Sequence, residues 1–283
     1  MEKKLAIVTG ANSGMGLATV ISLAKKGVHV IMLCRNEEKG KKALLTAREE
    51  TKSNNLELMI CDLGSIESIH RSVNTFKENY DTLDLLINNA GVVTLKRQET
   101  KDGFESMLGV NHLGHFLLTT LLIDELKRSE DGRVVIVSSG AHKWGKIDFI
   151  DPYFHNGFNV IKGYGRSKLA NVLFMKGLAN RMAGTSVSVN ALHPGAVATN
   201  IGVDRDTGFG KRFIKLLVPF FRTPEKGAQT AVFLAVSESV KGISGSYFYN
   251  EKEAPISKLA QNDELVELFW KWSEQQVDFK FDK

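Results

Sequence analysis

Short apolar runs alternate with helically patterned stretches along most of this chain, and that alternation limits the fold more than any other feature. Residues 5–9, 28–33, 56–60, 83–87, 133–137 and 187–192 read as buried strands, and 245–249 reads as a seventh. Between them, residues 17–26, 37–53, 66–80, 104–126 and 164–183 place apolar side chains at helical spacing. Thr223-Pro224-Glu225 opens a helix running to about 237, with proline in its first turn. Strand–helix–strand units of this length predict an α/β fold: a doubly wound, seven-stranded parallel sheet with helices on both faces. No repeat, low-complexity tract or linker interrupts the 283 residues, so one domain is expected over 1–283. Its core spans about 5–250, and an amphipathic helix closes the chain at about 262–278.

Composition narrows the class. At 43% hydrophobic and 24% charged, the chain has ample material for a core. Its formal net charge of +5 comes from 37 basic against 32 acidic residues, with the two signs interspersed. That pattern describes solvated helix faces and not a nucleic-acid stripe. Cys34 and Cys61 each close an apolar run and read as buried small hydrophobes, which suits a reducing, cytoplasmic setting. Met1-Glu2-Lys3-Lys4 leads straight into the first strand, so no signal peptide is expected. No apolar run approaches the roughly 18 residues of a membrane span.

Three stretches carry chemistry. Gly10-Ala11-Asn12-Ser13-Gly14-Met15-Gly16 lies between a strand and a helix, where glycines let the backbone approach a pyrophosphate at a helix N-terminus. Its spacing differs from G-x-G-x-x-G, but the strand-turn-helix context points to a dinucleotide. At the end of the second strand, an acidic side chain would accept from a ribose 2′-OH; the chain has Cys34-Arg35-Asn36 instead. Arg35 pairs with a 2′-phosphate, which favours NADP(H) over NAD(H). In Tyr164-Gly165-Arg166-Ser167-Lys168 a phenol and an ammonium stand one helical turn apart, and a nearby ammonium favours the phenolate. The pair can give or take a proton while a hydroxyl such as Ser139 holds a substrate oxygen. His112, His115, His142 and His193 lack the companions of a metal site, and no metal is expected.

Taken in order, Thr9-Gly10-x-x-x-Gly14-x-Gly16, Asp62-Leu63, Asn88-Asn89-Ala90-Gly91, Asn111, Ser139, Tyr164-x-x-x-Lys168 and Pro194-Gly195 resemble the short-chain dehydrogenase/reductase family from residue 5 to about 249. The resemblance implies a Rossmann fold and assigns roles. Asp62, beside the Leu63 backbone, would bond the adenine; Asn89, Ala90 and Gly91 would line the adenosine side. Ser139 would hold the carbonyl and Tyr164 would carry the proton. Lys168 would bond the nicotinamide ribose and depress the Tyr164 pKa. Asn111 would hold a water linking Lys168 to solvent. Pro194, Gly195, Val197 and Thr199 would cradle the nicotinamide. The same resemblance implies a homodimer paired through the helices at 109–128 and 164–183.

Finer similarity, in Asn111-His112-Leu113-Gly114-His115-Phe116, Ser138-Ser139-x-Ala141-His142 and His193-Pro194-Gly195-x-Val197-x-Thr199, is to the retinol dehydrogenases and the WW-domain-containing oxidoreductase. That branch implies a small but bulky apolar carbonyl or alcohol substrate: a retinoid, a steroid or a lipid aldehyde or ketone. Asn200 departs from the acid often found there. The substrate wall is expected at 140–163 and 200–222, with Trp144, Phe149, Tyr153, Phe154, Phe158, Phe209, Phe213, Phe220 and Phe221 as candidates to enclose it. Ile214 to Val218 with Phe220 and Phe221 are a candidate peripheral membrane contact. The contrasting reading is a redox sensor or scaffold that binds NADP(H) with little turnover.

Overall fold

The computed structural model describes residues 4–195 and 222–281. Seven strands run parallel through the sheet, the first six being β1 (Leu5–Thr9), β2 (His29–Cys34), β3 (Leu56–Ile60), β4 (Leu85–Asn88), β5 (Gly132–Val137) and β6 (Val187–His193). With β7 (Tyr247–Tyr249) and β8 (Lys252–Glu253) the order is β3-β2-β1-β4-β5-β6-β7-β8. The strand order switches direction between β1 and β4, so the connections leaving their carboxyl ends diverge and open a crevice. Strands β1, β4 and β5 are buried throughout, which is why they read as unbroken apolar runs.

Period-two alternation shares each strand between two cores. Leu5 and Ile7 of β1 face one core; Ala6 and Val8 face the other. Helices α1 (Gly14–Ala24), α2 (Glu37–Thr51) and α8 (Pro224–Val236) close the second face. Helices α3 (Ile66–Asn79), α5 (Gly114–Leu121), α7 (Val160–Arg181) and α9 (Asp263–Gln276) close the first. The helix starts are chemically explicit: the Asn36, Ser65, Asn159, Thr223 and Asn262 side chains each accept a first-turn N–H. Asn159 caps α7 four residues earlier than the apolar pattern suggests, so Tyr164 sits in the second turn.

Two expectations change. The sheet has eight strands, because Asn250 and Glu251 take φ of 52° and 61° and fold Lys252–Glu253 back antiparallel onto β7. Positive φ at both central residues is a type I′ hairpin turn, here without the usual glycine. The expected helix over 104–126 is also broken. It consists of a short turn α4 (Ser106–Leu108), a π turn (Gly109–Leu113), α5 and α6 (Ile123–Lys127). The π turn contains Asn111.

Helix α9 lies on α7. The missing side chain of Gly177 admits the Trp270 ring; a Cβ there would stand 2.9 Å from Trp270 Cε3. Trp270 also packs on Phe116 and Phe174, with ring centres 4.8 and 6.0 Å away. Arg181 grips Glu267 through both terminal nitrogens, at 2.9 and 2.8 Å, and stacks over Trp270 at 4.0 Å. The C-terminal helix thus packs on α7 and, through Trp270, reaches Phe116 of α5. No described helix is long and apolar enough to cross a membrane.

Candidate active site

The carboxyl ends of β1, β4 and β5 meet backbone to backbone. Gly10 has φ +64°, and a Cβ there would lie 2.9 Å from Ala90 Cα. A Cβ on Gly16 would lie 2.3 Å from Gly10 O and 2.6 Å from Asn89 Nδ2, so α1 rests directly on the turn. Asn12 and Ser13 form the open side of that turn, with Met15 buried beneath. Ser13 makes no side-chain cap, and no acid stands in the first turn of α1. The first N–H groups and the positive end of the helix are left for an anion, which fits a pyrophosphate.

Arg35 is exposed at the end of β2 and makes no ion pair among the described residues. Asn36 spends its side-chain oxygen on Lys39 N at 2.9 Å, opening α2. Asp62 holds Gly64 N at 3.0 Å through Oδ1, while Ser65 caps α3. The carbonyl of buried Leu63 is approached closely by Gly114, where a Cβ would lie 2.2 Å away. The N–H groups of Asn89 and Ala90 both donate to Thr9 Oγ1 at 2.8 Å, and Asn89 Nδ2 donates to Thr9 O at 2.7 Å. Gly91 passes Lys168: a Cβ on it would lie 3.8 Å from Nζ and 3.6 Å from Asn111 Oδ1.

Helix α7 carries Tyr164 and Lys168 one turn apart, with Nζ 5.7 Å from the phenol ring centre. Lys168 is buried and donates to Val137 O at 3.2 Å; burial lowers its amine to about 8. Asn171 Nδ2 donates to the same carbonyl at 3.0 Å. The Ser139 hydroxyl lies close enough to the Tyr164 phenol to act on it, and it accepts from Ala141 N at 3.3 Å. Neighbouring Ser138 instead donates to Lys168 O at 2.8 Å, so the serine pair divides its labour between the helix backbone and the cleft. The expected depression of the Tyr164 pKa by Lys168 is corrected. Burial raises the phenol, the nearby Ser139 hydroxyl partly offsets this, and the amine points at the Val137 carbonyl.

Asn111 is wholly buried. Its Oδ1 accepts from Val92 N at 2.7 Å, and its Nδ2 donates to Val92 O at 3.0 Å and to Ser167 Oγ at 3.1 Å. The side chain thus grips the segment after Gly91 and the helix of Tyr164. The histidines are occupied too. His112 meets Ser273 at 2.9 Å, and burial lowers it to about 3. His142 Nδ1 bonds the Ser139 carbonyl at 2.7 Å. His193 stacks on Tyr249 with ring centres 4.9 Å apart. Among the described residues no group of His, Cys, Asp and Glu is placed to hold a metal ion.

Beyond β6, Pro194 and Gly195 are described. Gly195 has φ +85°, and a Cβ on it would lie 2.6 Å from Arg222 Nε. Val197, Thr199, Asn200, Phe209, Phe213, Phe220, Phe221 and Ile214 to Val218 lie outside the described residues. Of the other aromatic candidates, Phe149 and Tyr153 pack on Trp272 of α9. Phe154 lies under the Arg166 guanidinium at 3.8 Å and edge-on to Phe158. Trp144 is 57% exposed and covers Gly165, where a Cβ would lie 2.8 Å from Cδ1. Sequence reading gave no role to Thr9, Ser138 or His115. The signal for His115 was its place four residues after Asn111, on the same helix face.

Comparison with known proteins agrees with this geometry. A family model described as short chain dehydrogenase matches residues 4–208. Retinol dehydrogenase 14 of Mus musculus is 41% identical over 289 residues, covering 98% of this chain and 86% of its own. Polyprenol dehydrogenase of Homo sapiens is 38% identical over 275 residues, covering 94% and 83%. Among solved structures, an uncharacterized protein from Mycobacterium paratuberculosis is 32% identical with a TM-score of 0.79, covering 99% and 95%. Salutaridine reductase from Papaver somniferum has a TM-score of 0.70 at 23% identity over 88% and 100%, a likeness of fold alone. With glycine turn, serine, tyrosine and lysine assembled at the switch of strand order, and relatives of about 40% identity along nearly its whole length, the chain is a retinol dehydrogenase-like member of the short-chain dehydrogenase/reductase family.

Proposed function

We propose that this protein interconverts a carbonyl and an alcohol on a bulky apolar substrate, a retinoid, steroid or lipid aldehyde or ketone, with NADP(H) as redox partner. One observation carries the reading: a half-buried phenol close to a serine hydroxyl stands one helical turn from a buried amine, and that amine lies beside the bare backbone of Gly91. The dehydrogenases of retinol and polyprenol among the relatives support an apolar substrate.

The turn of Gly10, Asn12, Ser13, Gly14, Met15 and Gly16 would hold the pyrophosphate, Arg35 and Asn36 the 2′-phosphate, and Asp62 with Leu63 the adenine. Asn89, Ala90 and Gly91 would line the adenosine side, while Pro194 and Gly195 flank the nicotinamide and Lys168 holds its ribose. Bound there, the nicotinamide supplies or accepts the hydride. Ser139 Oγ holds the substrate oxygen. Tyr164 Oη passes it a proton in the reducing direction and takes one back in the oxidising direction. Lys168 places a positive charge beside the phenol when protonated.

Incubation with NADPH and a panel of retinaldehyde, steroid ketones and lipid aldehydes tests this reading. Consumption of NADPH with at least one of them is expected; binding without consumption across the panel would favour the sensor or scaffold. Arg35→Asp should lower the ratio of NADPH to NADH efficiency by about 10²-fold, since a charge-assisted bond is lost and repulsion added. An unchanged ratio would remove Arg35 from the cofactor site.

We further propose that the protein acts as a monomer, because α9 occupies the α7 face on which pairing would rest. Light scattering should give a mass near 31.3 kDa. A mass twice that would mean pairing through another face, or α9 displaced from α7.

A further inference from the structure

A closed set of hydrogen bonds runs through His115, a residue outside the reaction just proposed. Its Nδ1 lies 3.1 Å from the Asn111 carbonyl and its Nε2 lies 2.8 Å from Thr9 Oγ1. A carbonyl only accepts, so Nδ1 carries the hydrogen. Thr9 Oγ1 already accepts from Asn89 N and Ala90 N, so its own hydrogen must go to another acceptor. Nε2 is bare in the Nδ1–H form and stands closer than the alternative, Ile87 O at 3.4 Å. Every group then has a compatible partner, and only one tautomer of the ring permits it. Burial, aided by the nearby Lys168 charge, holds the ring neutral by lowering it to about 4.

The chain continues past Asn111. Its Nδ2 donates to Ser167 Oγ at 3.1 Å, and Ser167 donates to the Tyr164 carbonyl at 2.9 Å. Thr9, Asn111, His115 and Ser167 are all buried, at 0, 0, 2 and 0% exposure, so each lost bond leaves a stranded polar group.

We propose that His115 is a positioning residue. As the neutral Nδ1–H tautomer it ties the strand end of Asn89, Ala90 and Gly91 to the π turn of Asn111, and through Ser167 to the helix of Tyr164. This assignment rests on the reaction proposed above for what it positions, while its hydrogen bonds stand independently. The two ring nitrogens serve different ends: Nε2 serves the cofactor strand and Nδ1 serves the catalytic helix.

Two substitutions separate them. The amide of His115→Asn reaches the place of Nδ1 and leaves Thr9 without its acceptor; that of His115→Gln reaches the place of Nε2 and leaves the Asn111 carbonyl without its donor. His115→Asn should raise the NADPH dissociation constant, read by nucleotide fluorescence, about tenfold with a smaller effect on kcat. His115→Gln should lower kcat about tenfold with NADPH affinity close to wild type. Nitrogen NMR of the wild type at pH 7 should find the proton on Nδ1. A proton on Nε2, equal losses in both variants, or wild-type behaviour in both would overturn the assignment. A wild type that binds NADPH but turns over no carbonyl would sink the proposed reaction instead. The tautomer and the NADPH affinities would then decide the role of His115.

Discussion

Replacing Tyr164 by phenylalanine is expected to lower kcat by about 10²–10⁴-fold, the range supplied by a positioned proton donor or acceptor. The phenyl ring fills the same half-buried space on α7, so the fold and the glycine turn across the cleft are untouched. Only Oη is removed, and Ser139 Oγ keeps Ala141 N at 3.3 Å. NADPH binding, measured by fluorescence, should stay within about threefold, because an interaction made mainly in the transition state lowers kcat and leaves ground-state binding alone. Full turnover in the variant would end the mechanism. The pH dependence has a definite sign. Burial holds the phenol above its ordinary value, so it is protonated at neutral pH in the free protein. Reduction, which needs the acid, should persist through neutrality and fall only as pH rises through the raised value. Oxidation needs the base and should gain in the same window. A reductive rate limited by loss of a proton below neutrality would contradict this ordering.

That sign is instructive about what the sequence could reveal. The Tyr164–Lys168 spacing was legible because one helical turn is a local fact, and burial on both faces made β1, β4 and β5 readable as apolar runs. The glycine turn was legible from its place between strand and helix. The direction of the phenol shift was not, since a neighbouring ammonium suggests one sign and desolvation, set by the whole fold, imposes the other. The π turn stayed hidden because apolar spacing runs through residues 104–126 without a break. Its Asn111 is gripped by Val92, 19 residues earlier in the chain, a contact that local spacing does not announce. Thr9 and His115 are 106 residues apart, and no periodicity announces a hydrogen bond of that kind. The cover that α9 puts on α7 was equally remote: an amphipathic helix at 262–278 was foreseen, but not the surface it would bury.

The other large effect concerns Lys168, where stability and reaction should pull apart. Burial lowers its amine from 10.5 to about 8. A lowering of that size corresponds to a cost on the order of 3 kcal/mol for keeping the charge inside at neutral pH. The folded pKa lies below the unfolded one, so the unfolded chain binds more protons between about pH 8 and 10.5. Stability should therefore rise with pH through that window, and below it the full cost is present. Lys168→Met keeps an unbranched chain of similar length and removes the charge. It also removes the bond to Val137 O, but Asn171 Nδ2 still holds that carbonyl at 3.0 Å. The variant should thus be more stable than wild type by about 1–3 kcal/mol at pH 7, raising Tm by several degrees. Its advantage should shrink as pH climbs towards 10, while turnover is lost at every pH. Thermal melts of both proteins at pH 7 and pH 10 measure this directly. A variant no more stable than wild type at pH 7 would mean that the amine is well solvated, or paired more strongly than one 3.2 Å bond to a carbonyl allows. A buried ammonium that weakens the fold is then best understood by what it does for the phenol one turn away and for the sugar hydroxyls proposed to meet it.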